Sequence, residues 1–591
     1  MMKKLALVAL AAGCGTSTNP SPDPPDSWGV PISGGNVIVA REGHHAIVAD
    51  PDRDRILTVN LDDGTSTEIP LQPGDEPGRL VEDGAGHFHV ALRRGGALVT
   101  IADGAISARR AACAEPRGVA YEATTDLVHV ACSTGELVSF PATGGDAVRS
   151  VRIDRDLRDV LVVNGKLYVT RFRAAELLAL DANGAITSRT VPPVVRRFAG
   201  FNGGAPDAGT GSGSGSNDGK VDDVAAVAWR SIALPDGRIL MSHQRQLKTI
   251  LNVTHGGYGG EGCGEGPVGD SVTVIQPDGT AAPIAMAPFV NGALPVDVAV
   301  SPNGQKLSVV LAGAQGVRTI SMGALVPDNG DSGCTGGGDD NEDLGAPTSA
   351  AYTPGNDLVV FYPEFPALVV SSVGTPRIIE LPGTFGYDSG RGLFHRQTPS
   401  GLACASCHPE GRDDGLVWQF QDSGFRRTQN LAGSILSRAP YHWTGDQADL
   451  PTLMDDVFAV RMAGATPTRS EHRSLGPFLE RVPAPAPTAA VDPDAAARGK
   501  AVFDAPEVGC NACHSGALMT TKAIVDVGTG GKFKVPSLVG IGARAPFLHN
   551  GCAATLKDRF DTYCGGGDLH GKTSTLTPQQ LDDLVAYLET L

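Results

Sequence analysis

Two pentapeptides carry the chemistry of this chain. Cys404-Ala405-Ser406-Cys407-His408 and, 106 residues later, Cys510-Asn511-Ala512-Cys513-His514 both read C-x-x-C-H. At that spacing two thiols can add to the vinyl groups of one porphyrin, and the next histidine turns back to ligate its iron. The spacing therefore predicts two covalently bound haem c groups, with His408 and His514 as proximal iron ligands. A four-cysteine zinc site is the structural alternative. It is disfavoured because the pairs stand far apart and each is followed by histidine.

What a haem does depends on its sixth position. A closed iron carries electrons, whereas an open one can take peroxide. For the first haem the distal candidates are Met462, which would raise the potential, and His442, which would lower it. For the second they are His570 and His549, and a hydrogen bond to a propionate is an equally good role for His549. By motif spacing, Tyr563 or Cys564 stands where the first half has Met462.

The surroundings of the two motifs are duplicated. Arg391-Gly392-Leu393-Phe394 precedes the first and Arg498-Gly499 with Val502-Phe503 the second, each ending a short helix. Downstream, Arg438-Ala439-Pro440-Tyr441-His442-Trp443-Thr444-Gly445 aligns with Arg544-Ala545-Pro546-Phe547-Leu548-His549-Asn550-Gly551. Two mainly α-helical cytochrome c-type domains are expected, over 382–481 and 494–591, with a Pro/Ala-rich linker at 482–493. Thr577, Pro578 and Gln580 start a last helix whose apolar face is Leu581, Leu584, Val585 and Leu588.

The preceding 28–381 reads differently. AIVADPDRDRILTVNLDDG from Ala46 is the first of seven units in which a buried strand, a polar turn and a second strand close on Asp-Gly or Gly-Gly, about every 40 residues. Such a period with almost no helix predicts an all-β seven-bladed propeller. The pattern resembles propellers of the surface-layer or YVTN/lactonase-like type. Residues 203–219 (GGAPDAGTGSGSGSNDG) form a flexible excursion between units four and five. His87 with His89, and His44-His45, lack a third metal ligand at site spacing. The stretch 328–343 lacks an EF-hand register, so calcium has no support there.

The C-terminal third resembles the bacterial di-haem cytochrome c peroxidase family, which includes the enzyme that oxidises tryptophans of methylamine dehydrogenase. The resemblance rests on the paired C-x-x-C-H motifs, APYHWTG and APFLHNG. It implies facing haems with a tryptophan between them, here Trp443, as the inter-haem electron-transfer residue. It also implies reduction of hydrogen peroxide or peroxide-driven oxidation. Two features depart from the family. Arg461-Met462 stands where a Glu-Met is usual, so a proton-handling carboxylate is missing, and no His lies between His408 and His442. The alternative is a non-catalytic electron-transfer lipoprotein whose propeller is a docking module.

Composition narrows the partners. Among 591 residues, Lys+Arg 48 against Asp+Glu 65 give a net charge of −17, and no basic stripe offers itself to nucleic acid. Lys3 and Lys4, the apolar run to Ala12 and Gly13-Cys14 have the form of a lipoprotein signal over 1–14, with Cys14 as lipidation site and 15–27 as tether. An ordinary cleaved signal is the alternative. Either form implies export to the periplasm or cell surface, and the lipidated form implies an outer-membrane lipoprotein. Setting aside Cys14 and the haem cysteines, six of the eleven cysteines remain. Proximity suggests Cys113–Cys132, Cys263–Cys334 and Cys552–Cys564. A small cytochrome or cupredoxin, soluble or membrane-held, is the expected electron donor.

Overall fold

The computed structural model describes residues 30–198, 220–258, 266–284, 292–328, 339–340, 344–372, 375–386, 388–487 and 491–591. The signal and tether with Cys14, the 203–219 excursion, Cys263, Cys334 and most of 328–343 lie outside them.

The N-terminal region is largely β. Among the described residues it forms seven small antiparallel sheets, each from strands consecutive in the chain except the fifth, which skips Ile250–Leu251. The first runs from Val37–Val39 to Ser66–Pro70, the second from Pro77–Glu82 to Ala105–Ala111 and the third from Pro116–Glu122 to Arg149–Arg152. The fourth spans Leu157–Val163 to Ile186–Thr190, and the fifth, with five strands, Val195–Phe198 to Ala281–Pro283. The sixth and seventh run from Pro295–Val300 to Asp339–Asp340 and from Ser349–Tyr352 to Arg377–Glu380.

The middle strands are continuous apolar runs rather than alternating ones. His45–Asp50 is buried from Ala46 onward because sheets cover both its faces. Inner strands of successive sheets touch, and Ser349–Tyr352 of the seventh returns to Val37–Val39 of the first. That return is apolar: Val48 and Leu57 pack in one cluster with Phe361 and Leu368, so the sheets close into a ring.

Among the described residues the C-terminal third holds four α-helices of seven or more residues: α1 Ser389–His395, α2 Arg469–Glu480, α3 Pro493–Asp504 and α4 Pro578–Glu589. A π-helix covers Met454–Arg461. Helices are the main regular elements of both halves, joined by turns and loops. Helix α4 begins where expected, with Thr577 and Gln580 in a capping box, and buries Leu584 and Leu588. It crosses α3 at Gly499, where a Cβ would stand 1.8 Å from the Asp583 carbonyl oxygen.

The boundary drawn at 381/382 divides the sequence but not the core. One apolar cluster joins Phe172, Trp229 and Leu294 of the ring to Phe394, Tyr441 and Phe478 of the first C-terminal half. The segment expected as a linker is packed as well: Val482 is buried, and Gly411 and Gly540 lie against Val482 and Pro485. The second half has its own cluster around Phe503, Phe547, Leu556 and Leu584. Disulfides join Cys113 to Cys132 and Cys552 to Cys564.

Candidate functional site

Each C-x-x-C-H motif is a tight turn. Cys404–Cys407 forms one helical turn, and the His408 amide donates to the Cys404 carbonyl at 2.9 Å. Cys510–Ala512 forms a 3-10 turn, and the His514 amide donates to the Cys510 carbonyl at 3.0 Å. After His408, Glu410 and Gly411 adopt φ of 56° and 71°, which reverses the chain. The ring of His408 donates through Nδ1 to the Arg412 carbonyl at 3.2 Å, and that of His514 to the Met519 carbonyl at 3.2 Å. A carbonyl can only accept, so both rings carry the Nδ1 proton and keep Nε2 as a lone-pair donor for a metal. All four motif thiols are free.

Both motifs open on one cavity of about 690 Å³. Across it, the His570 ring lies with its centroid 6.5 Å from that of His514. Imidazoles bound on opposite sides of one metal, at about 2 Å each, have centroids roughly 6 Å apart. The free thiols, the oriented histidines and this spacing all fit a haem c. Met462 is buried on the wall of the same cavity, and His442 also lines it, with Nδ1 3.0 Å from Asp446 Oδ2. Both distal candidates for the first motif thus line the cavity that the two motifs share.

The two distal candidates for the second haem part company. His549 stacks on Phe533, centroids 3.9 Å apart, and meets Trp443 edge-on at 6.4 Å. His549 and Trp443 are equivalent positions of the duplication, and the segments fold alike. Ala439-Pro440 and Ala545-Pro546 are both cis, and Tyr441 bridges Gln447 as Phe547 bridges Ala553. The halves thus meet at matching residues. Trp443 Nε1 donates to the Arg427 carbonyl at 2.7 Å, while the Arg427 amide donates to the His549 carbonyl at 2.6 Å.

Several residues that build the site went unmarked in the sequence. Lys534 is buried at the junction, its Nζ donating to the carbonyls of Arg438 and Pro440, and burial pushes it down to about 8. Asp414 donates its backbone amide to the Cys407 carbonyl, and burial pushes its carboxyl up to about 7. From the ring, Ile250–Leu251 pairs with Val417–Phe420, and Tyr258 reaches the cavity wall, where Arg461 donates to its hydroxyl at 3.0 Å. Arg461 also pairs with Asp456. Tyr258 sits in a glycine-rich stretch that reads as loop, and only its aromatic side chain signals contact.

The ring docks through charge. Glu410 meets Arg158 at 2.7 Å, Arg117 at 3.2 Å and Arg93 at 3.7 Å. Asp413 accepts from Arg173 of the ring at 2.7 Å, Arg427 at 2.9 Å and Asn430 at 2.9 Å. Arg391 of α1 reaches Asp52 at 2.7 Å, and Arg412 reaches Glu115 at 2.6 Å. Outside the site, His89 sits on Asp83 and Thr100, a satisfied buried histidine.

The cytochrome c family model matches residues 496–591. Hydrazine synthase subunit gamma of Kuenenia stuttgartiensis is 28% identical over 255 residues, spanning 32% of this chain and 72% of that protein. The cytochrome-c peroxidase IdrP1 of Denitromonas iodatirespirans is 43% identical over 67 residues, 10% of this chain and 18% of that one. A solved hydrazine synthase chain from Kuenenia stuttgartiensis aligns at 14% identity and a TM-score of 0.42, covering 62% of this chain and 99% of its own. The C-terminal segment is a cytochrome c domain, with covalently bound haem c and an electron-transfer function.

Proposed function

We propose that this chain is an exported di-haem c-type cytochrome in which a seven-bladed propeller carries two haem lobes that exchange electrons. The single observation supporting this reading most is that both C-x-x-C-H motifs open on one cavity, with Trp443 at the junction of the halves. In this reading Cys404, Cys407 and His408 hold one haem, and Cys510, Cys513 and His514 the other. Haem iron supplies one-electron transfer when its sixth position is closed and can take a peroxide oxygen when it is open. His570 is assigned to the second haem's distal side, and Met462 or His442 to the first. Trp443, fixed by its bond to the Arg427 carbonyl, provides an aromatic bridge toward His549 and the second lobe.

Two disulfides support the exported assignment, since such bonds persist in oxidising compartments. An outer-membrane lipid anchor at Cys14, and a small cytochrome or cupredoxin as electron donor, belong to the same proposal. A peroxidase-like activity at the first haem is the enzymatic form of it. The alternative is a non-catalytic electron carrier whose propeller is a docking or binding module, and a specific observation favours it. Arg461, in the place of the family's glutamate, is committed to Asp456 and Tyr258, so no free carboxylate stands there to move a proton.

Low-temperature EPR on haem-loaded protein separates these forms. A high-spin signal on half-reduction supports peroxide chemistry, whereas low-spin signals throughout leave the carrier. His570→Ala should convert one haem to high spin, and Trp443→Phe should slow electron transfer between the haems by about tenfold or more. Unchanged spectra in the first variant and an unchanged rate in the second would defeat the assignments.

A further inference from the structure

Where the loop after His408 enters the ring, charge does not balance. Arg93, Arg117, Arg158 and Arg412 converge there on only two carboxylates, Glu115 and Glu410, an excess of two positive charges. Glu76 is already paired with Arg94 at the rim. Arg93 is 8% exposed, and of its three guanidinium nitrogens only Nη2 approaches a carboxylate, at 3.7 Å. Its Nε and Nη1 are buried without a hydrogen-bond partner among the described residues. Beside them lies a cavity of about 180 Å³, lined by Arg93, Arg94, Arg117 and Arg412 against Glu76, Glu115 and Glu410, together with Val30 and Ala and Pro side chains.

Buried donors of this kind cost free energy unless something accepts from them. Water can accept, but it cannot offset net charge. A guanidinium fork matches a planar or tetrahedral oxyanion, and the volume suits one such anion with a few waters. Burial, with Arg117 and Arg158 nearby, pulls the Arg93 guanidinium down to about 10 despite the opposing charges of Glu410 and Glu76.

We propose that this cavity is a binding site for a small oxyanion, held by Arg93, Arg117 and Arg412. The carbonyl of Arg412 accepts from the ring of His408, so the anion lies against the loop that presents a proposed iron ligand. Its negative charge favours the oxidised form and lowers the potential of the first haem.

Inorganic phosphate and selenate are the probes, applied to the full haem-loaded protein. Selenate soaked into crystals should give anomalous density within hydrogen-bond distance of Arg93. At constant ionic strength, phosphate should raise the melting temperature to a plateau. Arg93→Gln should weaken that response by roughly ten- to a hundredfold in phosphate concentration, the effect of one charge-assisted bond. Glu410→Gln, which removes a competing carboxylate, should tighten it. An empty cavity in the selenate crystals, or phosphate titrations that superimpose for wild type and Arg93→Gln, would overturn the proposal.

Discussion

Asp270 shows how one side chain can set a pH dependence. It lies in the strand Val268–Ile275, 3% exposed, with Oδ2 lacking a hydrogen-bond partner, and burial pushes its carboxyl up to about 8. In the unfolded chain an aspartate ionises near pH 3.9. The unfolded state therefore loses a proton first, and stability drains away as pH rises from about 4 to about 8, then levels. Asp270→Asn keeps the shape and removes the ionisation. By denaturant unfolding it should match wild type near pH 4 and exceed it by several kcal/mol, up to about 5 kcal/mol, at pH 8. Equal stability at pH 8 would mean that the ionised carboxylate is tolerated in the fold.

At the scale of elements, the second lobe depends on one close crossing. Helices α3 and α4 approach at Gly499, where an added methyl would meet the Asp583 carbonyl and the Tyr587 side chain, while Arg498 clamps Asp583 at 2.8 Å. Gly499→Ala should force the helices apart despite its better helix propensity, at a cost of about 1–3 kcal/mol. Hydrogen exchange would locate the loss: faster exchange over Pro578–Glu589, with the β-ring unchanged. Protection equal to wild type would show that the crossing can relax at no cost.

Considered whole, the molecule is a β-ring whose charged mouth receives the first C-terminal half. Surrounding guanidiniums hold Glu410, Glu115 and Asp413 well below the ordinary carboxylate range, despite burial. Carboxylates with depressed values add stability that is complete above the unfolded values near 4 and lost as pH falls through the folded ones. Acid should therefore loosen the docking before it unfolds the ring. Small-angle scattering at pH 7 and pH 3 would register an increased radius of gyration while strand circular dichroism persists. An unchanged radius at pH 3 would show that the shared apolar core alone holds the two parts together.

The sequence alone determined what depends on local spacing. The C-x-x-C-H motifs, the strand-turn-strand units and the capping box of α4 are written in neighbouring residues, because thiol addition, hairpin turns and helix caps each need only a few consecutive positions. The duplication was legible too, since Ala439-Pro440 and Ala545-Pro546 sit in matching strings. Tertiary structure decided what depends on residues distant in the chain. His570 rather than His549 faces His514, because His549 is drawn into the stack with Phe533 at the junction. Pro382 marks a change of composition yet no gap in the core, because Phe394 and Phe478 share one apolar cluster with Trp229. Glu410 looks like an ordinary loop residue until three arginines from separate sheets converge on it. Long-range charge and packing leave no periodic trace in sequence, since partners hundreds of residues apart obey no common spacing.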